Sequence, residues 1–304
     1  MTQTVLLVGA TGMFGSRIAH HLFEQPETHL RVLVRALENP EKQALLKPLM
    51  DAGAEVLEGD LADEASLNRA TQGVDVIVSA VQGGFDVIVG GQVALSQAGV
   101  RNGVRRILPS DYALDLFEAT PGEHAMFDLR RTADERIAAS GLEQVNVLQG
   151  AFMEMFAPGA GTFDYQAGTV TYWGDGSQII DATSLEDTAR MVARVALDRE
   201  VGGGKFAFAG DRISILDAAK VLEAQTGLSF THRSMGSEAE LRAAHKQALE
   251  DTSNPFGSVM LAYQLYMLTG QTKLSDLQNE RYSDLKLETF AQFAARALPH
   301  ATTI

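Results

Sequence analysis

The chain contains no cysteine, which excludes disulfides, thiol nucleophiles and thiolate metal sites. Positive charge is scarce: 25 lysines and arginines stand against 39 aspartates and glutamates, a net charge of −14 at neutral pH. That field repels a phosphate backbone over most of the surface, so no direct nucleic-acid binding is expected. A small anion can still bind where local positive groups outweigh the global field. No apolar run reaches the roughly 18 residues that a membrane helix needs, so no membrane partner is expected. The first residues pass straight into an apolar strand and leave no room for a signal peptide. With the missing cysteines this points to a cytoplasmic protein. The seven histidines show no metal-binding spacing, so no metal is expected. Gly-x-Ser-x-Gly, low-complexity tracts and internal repeats are absent too.

What is present is an alternation of apolar runs and helical patterns. Thr4–Val8, Leu30–Val34, Glu55–Glu58, Val74–Val78, Arg106–Leu108 and Val145–Leu148 read as strands. Helical patterns lie near 16–24, 40–51, 63–72, 86–102 and 123–140. Such alternation predicts an α/β fold: a doubly wound parallel sheet with helices on both faces, joined by right-handed crossovers. The 304 residues leave length for a smaller C-terminal substrate lobe. The expected division is a nucleotide domain over 1–150 and the lobe over 151–304, with part of 179–209 returning to the sheet.

The chain opens on the most informative motif. Strand Thr4–Val8 runs into Gly9-Ala10-Thr11-Gly12-Met13-Phe14-Gly15, and a helical pattern follows. Gly9 permits a tight turn, Gly12 lets backbone amides approach a pyrophosphate, and Gly15 lets the helix pack close to the strand. The helix N-terminus then holds the phosphates. A strand before the glycines and a helix after them is the context a Rossmann dinucleotide site requires. Gly9, Thr11, Gly12, Met13, Phe14 and Gly15 are therefore candidate cofactor contacts.

The end of the second strand selects the nucleotide. An acidic residue there suits the free ribose of NAD, and an arginine suits the 2′-phosphate of NADP. This strand ends Leu33-Val34-Arg35, and Lys42 follows at the start of the next helix. NADPH/NADP+ is the expected cofactor, although Arg35 also reads as an ordinary surface arginine. Ser79-Ala80-Val81-Gln82, past the fourth strand, is expected beside the ribose and diphosphate. Asp60 reads equally as a turn cap or an adenine-side contact.

These segments together resemble the isoflavone reductase-like and phenylcoumaran benzylic ether reductase-like branch of the NmrA-like atypical short-chain dehydrogenases. The matching residues run through the glycine loop, Leu33-Val34-Arg35, Glu41–Leu46, Gly53–Val56, Gly59-Asp60 and Val74–Ser79. Arg106–Tyr112 resembles the family's Phe-Pro-Ser-Glu-Phe element, and Tyr263–Tyr266 with Gly270-Gln271-Thr272 resembles its C-terminal helix and loop. The resemblance implies an NADPH-dependent reductase of a flat aromatic or conjugated small molecule. It also implies a lysine, acting as general acid or base, on the helix after the fifth strand.

Here the sequence departs from that pattern. Counting back from Ser140-Gly141, the lysine position holds Arg130. Arginine stays protonated in proteins and is a poor proton donor. It can hydrogen-bond the nicotinamide ribose or stabilise an oxyanion; equally, Arg130 can pair with Asp134. Ser110 is expected to help orient the cofactor and acceptor. The proton then comes from Tyr112, His124 or water, although His124 reads more readily as a surface residue. Tyr282-Ser283-Asp284-Leu285-Lys286 matches Tyr-x-x-x-Lys but lies too far past the sixth strand to face a nicotinamide.

Ala151–Phe156 follows that strand. In relatives the equivalent segment passes the nicotinamide, which makes Phe152 and Met153 cofactor-side candidates. Phe85, Met155, Phe156, Trp173, Met260 and Tyr263 are candidate walls of an apolar acceptor pocket, and each also reads as core. Two functions remain open. One is a reductase of a small conjugated or aromatic compound. The other is a catalytically silent NADP(H) sensor acting through a protein partner, a reading motivated by the missing lysine.

Overall fold

A computed structural model describes residues 2–251 and 253–298. From the N-terminus, Gln3–Val8 (β1), Met13–Phe23 (α1), Thr28–Val34 (β2), Pro40–Asp51 (α2), Glu55–Glu58 (β3), Glu64–Thr71 (α3) and Val76–Ser79 (β4) alternate as the periodicity predicts. Gln92–Arg101 (α4), Arg106–Leu108 (β5), Ala125–Ala139 (α5) and Glu143–Leu148 (β6) continue the pattern. The single helix expected over 86–102 is two pieces, because Asp86–Gly91 forms a π-helical turn before α4. The chain then forms Ala151–Phe152 (β7), Phe163–Asp164 (β8), Thr169–Tyr172 (β9), Ile179–Thr183 (β10), Leu185–Leu197 (α6), Gly204–Ala207 (β11) and Asp211–Ser214 (β12). Ile215–Thr226 (α7), Thr231–Ser234 (β13), Glu238–Glu250 (α8), Pro255–Thr269 (α9) and Phe290–Ala297 (α10) complete it.

The chain divides into two compact units of three segments each. The first comprises 1–112, 129–147 and 188–206; the second comprises 113–128, 148–187 and 207–304. A single boundary near residue 150 does not describe this, because 188–206 rejoins the first unit.

The first unit is built on a seven-stranded sheet of order β11-β6-β5-β4-β1-β2-β3. Its strands pair in parallel from β3 through β6. Strands buried on both faces need near-continuous apolar runs. Val5, Leu6, Leu7, Val76, Ile77 and Val78 are accordingly fully buried. The expected return of 179–209 holds for β11 alone, since β10 belongs to a different, three-stranded sheet with β7 and β12. The sequence order runs outward from β1 to β3 on one side and from β4 to β6 on the other. The order therefore reverses between β1 and β4, where open α/β sheets bind ligands.

Local chemistry sets the helix starts. Asn39 caps α2 by accepting from the Glu41 and Lys42 amides, with Pro40 in the first turn. Asp63 caps α3, and Thr289 with Gln292 forms a capping box on α10. Helix α1 starts without such a cap. Its N-cap is Gly12, with no side-chain cap and no acidic residue in the first turn.

The second unit carries two three-stranded sheets, β12-β10-β7 and β13-β9-β8. Phe156, Phe163, Val170, Ala182, Phe290 and Phe293 form much of its core.

Candidate functional site

The site in the first unit begins at the carboxyl ends of β1 and β4. Gly9 adopts φ +92°, and a Cβ placed there would sit 2.3 Å from the Ala80 carbonyl oxygen. The two strand ends are therefore in backbone contact, and the Ala80 amide donates to the Val8 carbonyl at 2.8 Å. A Cβ on Gly15 would sit 2.1 Å from the Gly9 carbonyl oxygen. Both glycines thus do what the spacing predicts: one turns the chain, and the other seats α1 on the loop.

The loop leaves donors open. In a helix the first amides have no intrahelical acceptor. At α1 the N-cap is Gly12, which has no side chain to supply one, so the first turn offers backbone N–H groups and the positive end of the helix dipole beside the loop. An anion fits this cradle, and neither a cap nor an acidic side chain of the first turn competes with it. Thr11 is half-buried, whereas Met13 is exposed. Phe14 packs edge-on against Tyr112, with ring centroids 4.7 Å apart.

Arg35 lies exposed at the end of β2. The Lys42 ammonium donates to the Arg35 backbone carbonyl at 2.8 Å, which puts Lys42 beside the end of β2. Asp60 accepts from the Ala62 amide at 2.9 Å, so the turn-capping reading describes it. Past β4, Ser79 is buried with its hydroxyl unpartnered, Val81 is buried and Gln82 is exposed. Ser110 holds this segment in place. Its hydroxyl donates to the Val81 carbonyl at 2.8 Å, while its amide donates to Gln92 Oε1 at 2.9 Å.

A polar cluster adjoins this segment. Asp111 is wholly buried, and Asp134 and Asn146 nearly so. Asn146 Nδ2 donates to Asp111 Oδ2 at 2.7 Å, and Gln144 Nε2 donates to Asp134 Oδ1 at 2.8 Å. The two carboxyls also reach each other. Arg130 Nε and Nη1 are buried with no acceptor, so Arg130 forms no hydrogen-bonded pair with Asp134 through these atoms. Burial and the neighbouring carboxyl raise Asp134 well above the ordinary aspartate range, and burial also raises Asp111. Burial raises Tyr112 further from ionisation, so it stays protonated.

These shifts make stability depend on pH. Above the ordinary aspartate value near 3.8, the folded chain holds a proton that the unfolded chain releases. The pair's contribution is therefore most favourable in acid and falls as pH rises through the raised values. Asp134→Asn should reduce this slope to the part that buried Asp111 carries and gain on the order of 2 kcal/mol over wild type at pH 8. Urea unfolding at pH 4 and pH 8 measures it; an equal difference at both pH values would refute it.

The second unit holds His124. It is wholly buried, not on the surface as the sequence reading favoured, because its ring stacks on Phe127 at 3.8 Å and meets Tyr263 edge-on at 4.4 Å. Its Nδ1 accepts the Phe127 amide at 3.2 Å, which fits a neutral ring. Met153 is also fully buried in the apolar core, so its side chain packs rather than facing a cleft; Phe152 is half-buried.

A cavity of about 260 Å³ lies in this unit, lined by Met155, Tyr172, Trp173, Met260, Gln264 and Met267 among others, with no charged side chain. Met155, Trp173 and Met260 thus come together as expected. Phe156 does not join them, because it is buried against Phe290 at 4.9 Å. Tyr263 packs on His124 and Phe127. Phe85 belongs to the first unit, half-exposed beneath the Arg136 guanidinium at 5.9 Å. Sequence reasoning passed over Gln144 and Asn146, since neutral amides in a strand carry no signal until the carboxyls they serve are located.

The metal expectation meets one group. Among the described residues, His20, His21 and Glu24 on α1 have ligand atoms within 4.8 Å of one another. They already pair, His21 Nδ1 lying 2.6 Å from Glu24. No described helix is long and apolar enough to cross a membrane.

The strand order, the reversal between β1 and β4 and the uncapped helix after a glycine loop define a Rossmann-type α/β protein. More narrowly, the profile of the NmrA-like family matches residues 1–288, and the chain belongs to that family. It is similar to pinoresinol reductase 1 of Arabidopsis thaliana, 29% identical over 214 residues. That match spans 64% of each chain, so just under two thirds of the relative's length. Phenylcoumaran benzylic ether reductase IRL1 of Ginkgo biloba is 31% identical over 162 residues, 52% of each chain. Among solved structures, AtPrR2 with NADP+ and (+)pinoresinol superposes with a TM-score of 0.83 at 22% identity, covering 97% of this chain and 98% of that one.

Proposed function

We propose that this protein is an NADPH-dependent reductase of a small, neutral, conjugated or aromatic compound. The observation that carries the reading is the uncapped N-terminus of α1 at the strand-order reversal, with Arg35 at the end of β2 and Lys42 beside that strand end. The first feature suits a pyrophosphate and the second a 2′-phosphate. The relatives are named as reductases, and leucoanthocyanidin reductase of Vitis vinifera is solved as a complex with NADPH. The uncharged, thioether-lined cavity suits a neutral aromatic ligand.

The nicotinamide, when bound, supplies hydride to an electron-poor carbon of the acceptor. The chain's own part is to hold and orient. The α1 amides and the Gly9–Gly12 backbone take the diphosphate, and Arg35 takes the phosphate on the ribose. The β4 segment, pinned by Ser110, lies beside the cofactor. Arg130 offers fixed positive charge to an oxygen that gains negative charge as hydride arrives. Water is the candidate for the proton: burial keeps the Tyr112 hydroxyl from ionising, and the packing of His124 among aromatic rings argues against it.

The first test is a parallel titration with NADPH, NADP+, NADH and NAD+. Tight binding of the phosphorylated pair is expected, and binding of none of the four would overturn the reading. Arg35→Ala should weaken NADPH about tenfold and leave NADH unchanged, the size of one exposed charge-assisted contact. A panel of enones, quinones and benzylic ethers then tests NADPH oxidation. Trp173 is the single tryptophan of the chain, so quenching of its fluorescence reports whether an acceptor enters the cavity.

Arg130 in place of lysine favours one second reading, a silent NADP(H) sensor acting through a partner protein. It predicts nucleotide binding without oxidation, and partner capture that changes with nucleotide. Identical capture with and without NADP+ would exclude it.

A further inference from the structure

Trp173 and Gln264 meet at the cavity of the second unit. Gln264 lies on α9 one turn from Met260 and one turn from Leu268, so the three share the face that lines the cavity. Trp173 directly follows β9, and its indole Nε1 donates to Gln264 Oε1 at 2.9 Å. An indole nitrogen donates and never accepts, so this bond fixes which end of the amide is which. The oxygen is taken, and the Nε2 hydrogens are left on the other side. Gln264 is half-buried, and its Nε2 makes no hydrogen bond among the described residues while staying open to solvent. Gln178, the other amide of the lining, has no such partner and can turn either end inward.

The indole is itself held. The Met235 amide donates to the Tyr172 carbonyl at 2.8 Å, and the Gly174 amide donates to the Gly236 carbonyl at 2.7 Å, so Trp173 sits between two backbone bonds. A Cβ on Gly236 would lie 3.2 Å from the indole Cζ3, so the ring lies against backbone there. A donor fixed before its ligand arrives costs little ordering when one does. The rest of the lining selects by exclusion. No charged side chain borders the cavity, so a charged ligand would lose its water without gaining a counter-charge. Met155, Met260 and Met267 give a soft apolar wall that fits flat rings. A cavity of about 150 Å³ holds benzene. At about 260 Å³ this one takes a ring with substituents.

We propose that this cavity binds a neutral aromatic compound through a hydrogen bond from Gln264 Nε2 to a carbonyl or ether oxygen on the ring's substituent. Gln264 is the specificity-determining residue, and Trp173 is the positioning residue that orients it. That the ligand is the hydride acceptor rests on the reductase reading above; the binding does not. A compound of the same shape without the oxygen leaves the amide hydrogens to water alone. A carboxylate is kept out by its charge.

The single tryptophan gives one indole N–H resonance in isotope-labelled protein, and that group is the donor of the bond to Gln264. Three probes read the site there without any turnover: acetophenone, isopropenylbenzene (a methylene in place of the carbonyl oxygen) and benzoate. Acetophenone should bind about tenfold tighter than isopropenylbenzene, the worth of one neutral hydrogen bond. Benzoate should leave the resonance in place. In Gln264→Met the two neutral compounds should bind alike, and retained binding of isopropenylbenzene shows that the variant is folded. Gln178→Met should keep the preference. In Trp173→Phe, followed by calorimetry, the preference should shrink while isopropenylbenzene still binds; an undiminished preference there overturns the orienting role. The proposal as a whole is overturned by no shift with either neutral compound, by equal affinities in wild type, or by an unchanged preference in Gln264→Met. Benzoate binding as well as acetophenone would overturn it too. NADPH oxidation by aryl ketones at the same KM in wild type and Gln264→Met would count against the proposal and leave the reductase standing. The acetophenone preference in a protein that binds NADPH but reduces nothing would end the reductase reading, with the cavity site intact.

Discussion

Gly15→Ala should abolish nucleotide binding and cost about 3 kcal/mol or more of stability. Two effects oppose each other at this position. Alanine in a helix is ordinarily better than glycine by roughly 0.5–1 kcal/mol, since it restricts the unfolded chain. Against this, the new Cβ would lie 2.1 Å from the Gly9 carbonyl oxygen and 2.8 Å from its carbon. Both are backbone atoms, and Gly9 is itself held against Ala80, so no side chain can swing aside. The helix must retreat from the loop, which carries the Met13 and Phe14 amides away from the phosphate cradle. Gly53 is the control: nothing lies within 4 Å of a Cβ there. Its φ of +98° still strains an alanine, but that strain stays far from the nucleotide loop. Gly53→Ala should therefore lose stability and keep binding. NADP+ titration and urea unfolding of both variants test the argument, and full binding by Gly15→Ala would refute it.

Arg106→Met should destabilise the chain by about 3–5 kcal/mol. Arg106 lies wholly buried on β5. Its Nη1 donates to the Val195 carbonyl at 3.0 Å and the Asp198 carbonyl at 2.7 Å. Its Nη2 donates to the Val201 carbonyl, and its Nε to Glu143. Three carbonyls of the segment 188–206 thus depend on one guanidinium. Methionine fills similar volume, so the loss is mainly one of unmet hydrogen bonds, each about 1–3 kcal/mol when buried. Glu143 is partly exposed and recovers water, which keeps the sum below that of a fully buried charge. The melting temperature should fall by roughly 10 °C for a chain of this size. A loss under about 1 kcal/mol would show that the segment is held by its apolar contacts alone. Those contacts are extensive, since Met191, Val192 and Val195 are fully buried.

Both variants bear on what could be read from the sequence. The glycine loop, the alternation of strands and helices, and the cation at the end of β2 are local features. Each is set by residues a few positions apart, so spacing alone carries it. The pocket walls were legible only in part. Met155, Trp173 and Met260 converge, but Phe156 does not, because an aromatic near a cleft and an aromatic in a core have the same sequence signature. His124 shows the same limit: its polarity suggested the surface, and only its stacking on Phe127 and Tyr263 explains its burial.

By itself the sequence determined that the chain is a parallel α/β protein opening on a phosphate-binding loop, that arginine stands where the family resemblance implies a lysine, and that no thiol takes part. Tertiary structure alone decided three further things. It decided how much of 179–209 returns: 188–206 joins the first unit, where Arg106 binds three of its carbonyls, while β10 pairs with β7 and β12. It decided that Arg130 Nε and Nη1 lie buried without an acceptor, which no spacing along the chain reveals. And it decided which apolar side chains border a cavity. Periodicity reports which face of an element is apolar; what that face meets depends on contacts between residues far apart in the chain, and those exist only once it has folded.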